Sequence, residues 1–270
     1  LISAESNPEW IEPLAVMVQN MGSEVILKSV SLDSLSNIKL NRHFTLATYF
    51  RLFAANLIGE SKALYLDSDI LINGDLTELW ETDLGEYPLA AVGDFLIDDF
   101  ARLDLSPEDG YFNSGVMILQ LDKWRELNLG DTVIDYLYEF PEKIEYADQC
   151  GLNAVLSGNW YRLTPKWNLQ SNEIRDSDSI LNKSYFSEND WTTALNHPRI
   201  IHFTGVPKPW NLGCNHPYKS LYWNYLKQTP LSRRLPLDFT LTNLLKAYFP
   251  LSLKKKYWRY LGRKQLKSKV

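Results

Sequence analysis

Asp67 and Asp69 stand one residue apart in "ALYLDSDILI" (63–72), inside an otherwise apolar run. Residues at i and i+2 of a strand face the same side, and a buried carboxylate without a counter-charge is costly. Two carboxylates at a strand end suit a hard divalent cation, with substrate phosphates filling its other positions. Further along, "IIHFTGVPKPW" (200–210) supplies three more groups. His202 offers an imidazole, which suits Mn²⁺ better than Mg²⁺. Gly205 permits close backbone approach, and Lys208 is a cation for phosphate. Arg51, in "TYFRLFAANL" (48–57), needs either an exit to water or an anion for its guanidinium. Asp94 ends a strand-like segment, Asn113-Ser114-Gly115 opens another, and Asp148-Gln149 begins a helix-like one. Each is a weak sign alone; their convergence on strand ends makes a site. His43, His197 and His216 lack such a setting and read as structural.

The elements that must hold these groups follow from pattern and punctuation. "SNPEWIEPLAVMVQNMG" (6–22) reads as a helix, with Asn7 as N-cap, Pro8 at the first position and Gly22 as the stop. Strands are expected at 24–30, across the Asp67 region, at "LAAVGD" (89–94), at "GVMILQL" (115–121) and at "RIIHFTG" (199–205). Helices are expected at 44–59, near 131–140, at 148–157 and at 218–227, and a turn at Asn73-Gly74. Strands alternating with helices predict an α/β fold with a mainly parallel, mixed sheet. Ligands of such folds gather beyond the carboxyl ends of the strands. Residues 165–197, rich in Asn, Ser and Asp, read as a long irregular segment that covers a site.

The 270 residues are 45% hydrophobic and 23% charged, ordinary for a globular protein, and no run approaches the roughly 18 apolar residues of a membrane span. Cys150 and Cys214 are too few for a disulfide scaffold and favour a reducing compartment. The net charge is −5, yet the last 20 residues hold eight Lys and Arg and no acid. The chain therefore divides by composition into residues 1–230 and a basic, aromatic tail, 231–270. Three tyrosine and tryptophan side chains (Tyr257, Trp258, Tyr260) among the cations of 251–270 suit an anionic membrane surface.

Phosphatases of the haloacid dehalogenase type also place D-x-D after an apolar strand, and "GDFLID" (93–98) resembles their later metal-binding motif. Leu71 departs from their Thr or Val, and the second motif comes too soon. Four ordered stretches resemble a different family more closely: "LYLDSDILINGDLTELW", "YFNSGVMILQLDKW", "YADQCGLNAVL" and "IIHFTGVPKPW". They resemble the motifs of family 8 of the retaining glycosyltransferases, above all bacterial galactosyl- and glucosyltransferases that extend lipopolysaccharide and other surface glycans. The likeness spans about residues 1 to 225.

The resemblance implies a GT-A fold and transfer of a hexose from a UDP-sugar to a glycan or glycolipid acceptor, with retention. It implies that Asp67, Asp69 and His202 hold Mn²⁺, with Mg²⁺ as the alternative, and that Gly205 and Lys208 contact the diphosphate. Arg51 and Asp94 match donor-contacting positions, and the Ser68 backbone lies near the ribose. Asn113, Ser114, Asp148 and Gln149 match positions around the donor sugar, with Gln149 and Asp148 as the catalytic pair. The basic tail resembles that of enzymes peripherally attached to the cytoplasmic face of a membrane; nucleic acid is not an expected partner. Family members open with a further strand and helix, so roughly 25–30 residues are expected upstream of Leu1. Two other readings stay open, a metal-dependent phosphohydrolase and a non-catalytic sugar-nucleotide-binding relative.

Overall fold

A computed structural model describes residues 1–4, 9, 11–36, 38, 44–175, 180 and 184–248. The expected caps Asn7 and Pro8, His43 and the membrane segment 251–270 lie outside the described residues. The chain forms two compact units, Leu1–Thr204 and Gly205–Val270.

The first unit contains strands β1 (Ile2–Ser3), β2 (Lys28–Ser29), β3 (Lys62–Leu66), β4 (Ile70–Ile72) and β5 (Leu89–Gly93). β6 (Phe112–Gln120), β7 (Tyr161–Arg162), β8 (Leu169–Gln170) and β9 (Ile200–His202) follow. They form a β1-β2 pair, a four-stranded sheet in the order β3-β6-β5-β7 and a three-stranded sheet in the order β4-β9-β8. The fold is mixed α/β, but its long ladders, β3 with β6 and β5 with β6, are antiparallel. Among the described residues, parallel pairing is confined to the two-residue ladders of β1-β2, β5-β7 and β8-β9. The expectation of a mainly parallel sheet is corrected on this point. A parallel neighbour needs a long crossover, usually helical, and the stretch between β5 and β6 holds only a 3₁₀ turn at Phe100–Leu103.

β6 is the central strand, and every residue from Phe112 to Leu119 is buried. Its sequence, FNSGVMILQ, combines a polar start with an apolar finish, as suits a strand with one end in a site and the rest in the core. The helix Leu129–Glu139 buries Leu129, Val133, Ile134 and Leu137, one face at helical spacing. It packs on the helix Ala147–Leu156, where Gly151 permits the approach: a Cβ there would lie 2.9 Å from Val133 Cγ1. The expected helix at 44–59 is a 3₁₀ run, Leu46–Phe53, continued by one α-turn, Ala54–Leu57, and it carries Arg51 into the interior.

Residues 165–197 are more regular than their composition suggested. They contain β8, a short helix at Ser171–Arg175 and a nine-residue helix, Glu188–Asn196. Ser187 and Asp190 close that last helix with a reciprocal capping box. In the second unit, the helix Lys219–Leu226 is anchored by Lys219, whose ammonium donates to the carbonyls of Leu212 and Cys214 at 2.9 and 3.2 Å. Trp223 Nε1 donates to the Pro209 carbonyl at 3.0 Å. Among the described residues no helix is long and apolar enough to cross a membrane.

Candidate active site

Asp67-Ser68-Asp69 is the passage of the chain from one sheet to another. β3 belongs to the four-stranded sheet and β4 to the three-stranded one, so the two carboxylates sit where the sheets part. Asp67 continues the β3 ladder, its N–H donating to the Gly115 carbonyl at 2.8 Å. The antiparallel register of β4 with β9 pairs Ile70 with His202, and the Phe203 N–H donates to the Asp69 carbonyl at 3.0 Å. Register alone thus brings His202 beside Asp69, although they lie 133 positions apart in the chain. Ser68 is exposed in the turn between the two acids.

Arg51 organises the charged part of the site. Its guanidinium pairs with Asp67 at 2.9 Å and with Asp148 at 3.0 Å, and donates to the Ser114 carbonyl and hydroxyl. Tyr65 lies under it, 4.4 Å from ring centroid to guanidinium carbon, and gives its hydroxyl proton to Asp67 at 2.8 Å. Burial disfavours the charge on Arg51, but Asp148 and Asp67 outweigh that and raise its pKa. Burial pushes the Asp148 carboxyl up to about 6 against the pull of Arg51. Asp148 Oδ1 is buried and finds no hydrogen-bond partner among the described residues.

Neutral amides make the other part. Gln149 Oε1 accepts from the Asn113 amide and the Ser114 N–H, both at 3.1 Å, and its own amide donates to Asp94 at 3.3 Å. Burial raises the Asp94 pKa, opposed by its hydrogen bonds from Gln149 and Asn113. Asn113 Oδ1 accepts from the Gly115 N–H at 3.0 Å and from Asn168 at 2.9 Å, and Asn168 meets His202 Nδ1 at 3.0 Å.

On its free edge His202 Nε2 lies 3.2 Å from Asp69 and 3.8 Å from Asp67. One ligand atom from each of these three residues falls within 4.8 Å of the others. The donor set of two carboxylates and one imidazole, on strand ends and partly open, fits a borderline divalent cation such as Mn²⁺.

Of the residues expected at the site, Arg51, Asp67, Asp69, Asp94, Asn113, Ser114, Asp148, Gln149 and His202 come together in the first unit. Gly205 and Lys208 belong to the second unit, where Gly205 has φ +70° and the Lys208 N–H donates to Asn211 Oδ1 at 2.9 Å. Tyr65, Asn153 and Asn168 were not expected as site residues. Asn153 ties the helix Ala147–Leu156 to β6 by bonding both the N–H and the carbonyl of Phe112, at 2.8 and 3.0 Å. A polar amide inside an apolar helix was its signal; Asn168, in "KWNLQ", gave none.

A family model described as glycosyl transferase family 8 matches residues 2–213. The chain belongs to glycosyltransferase family 8. General stress protein A of Bacillus subtilis (strain 168) is 33% identical over 69% of this chain and 67% of its own length. Lipopolysaccharide 1,2-glucosyltransferase of Escherichia coli (strain K12) is 28% identical over 88% of this chain and 71% of its own. Three streptococcal glycosyltransferases are matched over only 30%, 53% and 51% of their own length. The crystal structure of galactosyltransferase LgtC with donor and acceptor sugar analogs superposes with a TM-score of 0.75. That match covers 85% of this family 8 chain and 84% of that one at 22% identity, and it establishes the GT-A fold. The phosphohydrolase reading is not favoured.

Proposed function

We propose that this glycosyltransferase moves a hexose, galactose or glucose, from a UDP-sugar to a glycan or glycolipid acceptor with retention of configuration. The observation that carries this reading is the convergence of Asp67, Asp69 and His202 at a sheet junction, next to a buried polar group set around Asp148. The resemblance and the relatives supply the donor class. Asp67, Asp69 and His202 would hold Mn²⁺, or Mg²⁺ in its stead. A divalent cation there supplies neutralisation of the negative charge that develops on the departing diphosphate. The resemblance assigns Lys208 and Gly205 to the diphosphate, and Arg51, Ser68 and Asp94 to the rest of the donor.

Around the sugar, Asp148 offers an unpaired buried oxygen to a donor hydroxyl, and its carboxylate favours the oxocarbenium-like carbon. Gln149 Oε1 already accepts two hydrogen bonds, which draws electron density from the atom that a glycosyl-enzyme would need. This favours same-face attack: the acceptor oxygen bonds the anomeric carbon as the bond to UDP breaks. The hydroxyl proton passes to the leaving phosphate oxygen. Residues 251–270 would hold the enzyme on the anionic cytoplasmic face of a membrane, which liposome sedimentation with and without them checks.

A panel of UDP-sugars read by UDP release tests the function, because slow hydrolysis needs no known acceptor. UDP release from UDP-galactose or UDP-glucose with α-configured product supports it. Phosphate release from simple phosphomonoesters in its place would contradict it, and UDP binding without turnover would favour the non-catalytic reading.

A further inference from the structure

We propose that Asn168 is a positioning residue that holds His202 as its Nδ1–H tautomer and turns the Nε2 lone pair toward Asp67 and Asp69. The consequence for metal binding rests on the cation reading of that cluster.

The direction of the buried amides is anchored by two main-chain donors. The Ser114 N–H can only donate, so the Gln149 atom it meets is the oxygen. The Gly115 N–H likewise fixes the Asn113 atom it meets as Oδ1. That same oxygen meets Asn168 at 2.9 Å, so Asn168 presents its NH₂ there. What Asn168 has left for His202 is its oxygen, 3.0 Å from Nδ1. A neutral ring nitrogen facing an acceptor carries the proton. The tautomer of His202 is thus set by a backbone N–H on β6, through two asparagines.

Reversing Asn168 would bring two carbonyl oxygens together inside a closed site. Asn168 is 0% exposed and His202 3%, so water cannot relieve that contact. The Nδ1–H form is the less populated one for free histidine in water, so the protein has to impose it. Gly115 contributes a second restraint. A Cβ at that position would lie 2.2 Å from His202 Cε1 and 2.9 Å from Nδ1, so this side of the ring packs directly against Gly115 of β6. With Nδ1 protonated, Nε2 is an acceptor turned toward Asp69 and Asp67, the form in which an imidazole can ligate a cation. The amides also run the other way, from Asn113 through Gln149 to Asp94. One orientation therefore links a cation ligand to the sugar-facing side of the site.

Nitrogen-15 NMR of histidine-labelled, metal-free protein at alkaline pH, where imidazole is neutral, reads the tautomer directly. His202→Gln assigns the signal. The expected wild-type state is Nδ1–H. Asn168→Ala should shift His202 toward Nε2–H and weaken Mn²⁺ binding, read by water-proton relaxation, about 10–100-fold. Wild-type His202 in the Nε2–H form would overturn the proposal, as would Asn168→Ala with unchanged tautomer and unchanged Mn²⁺ affinity. Wild-type protein that binds no Mn²⁺ would overturn the cation reading alone, and the metal-free tautomer would still decide for or against Asn168.

Discussion

Arg51 gathers Asp67, Asp148 and Ser114 by charge, whereas Asn113, Gln149, Asn168 and His202 are joined by neutral hydrogen bonds of fixed direction. Both groups hang on the polar start of β6, and apart from the half-buried Asp67 their members are buried. Charge attraction tolerates small changes of angle, so the first group resists distortion but depends on every charge being present. Hydrogen bonds between amides are weak individually, yet each fixes which atom is donor and which acceptor. The charged group therefore governs stability, and the amide group governs the state of the imidazole it ends on.

The largest effect expected from breaking this contrast is on the charged side. Arg51→Met leaves Asp148 buried without its cation and should destabilise the protein by about 3–5 kcal/mol in urea unfolding. Arg51→Lys, which keeps the charge, should cost clearly less, and equal losses would refute the primacy of charge. Asp69→Ala leaves the pairs of Arg51 with Asp67 and Asp148 in place and should leave stability near wild type. It should still reduce UDP release on the order of 10²–10³-fold.

A smaller effect is expected from pH. Burial raises the Asp148 carboxyl from the ordinary 3.8 to about 6, so between those values the native state binds its proton more readily than the unfolded chain. The stability drawn from this proton is fully present below about 3.8 and is lost as pH rises through about 6. Relative to Asp148→Asn, metal-free wild type should lose on the order of 2–3 kcal/mol across that window. A flat difference would place the carboxylate in a wetter setting. The smallest expected effect is that of Gly115→Ala, which pushes a methyl into His202 and should cost about 1–3 kcal/mol. It should weaken Mn²⁺ binding while leaving the pairing of Arg51 with Asp148 intact.

The same contrast explains what the sequence revealed. Asp67, Asp69 and Arg51 were legible because charge inside apolar runs is conspicuous, and His202 because a short apolar strand precedes it. Asn168 was not legible: an uncharged amide between Trp167 and Leu169 resembles any loop residue, and its role exists only through the β8-β9 pairing. The helix Glu188–Asn196 is hidden in the sequence although Ser187 and Asp190 carry an S-x-x-D signal, because the polar composition around it reads as irregular. Sheet direction was misjudged for a different reason. Alternation of strands and helices reports order along the chain, and only the pairing of β6 with both β3 and β5 shows antiparallel neighbours.

Calorimetric titration of UDP with and without Mn²⁺, on wild type and on Asp69→Ala, tests most directly that the Asp67–Asp69–His202 junction is a cation-and-diphosphate site. The expected result is UDP binding strengthened by Mn²⁺ about tenfold or more in wild type, with that coupling absent in Asp69→Ala. Wild-type affinity for UDP that ignores Mn²⁺, or coupling retained in Asp69→Ala, would contradict it.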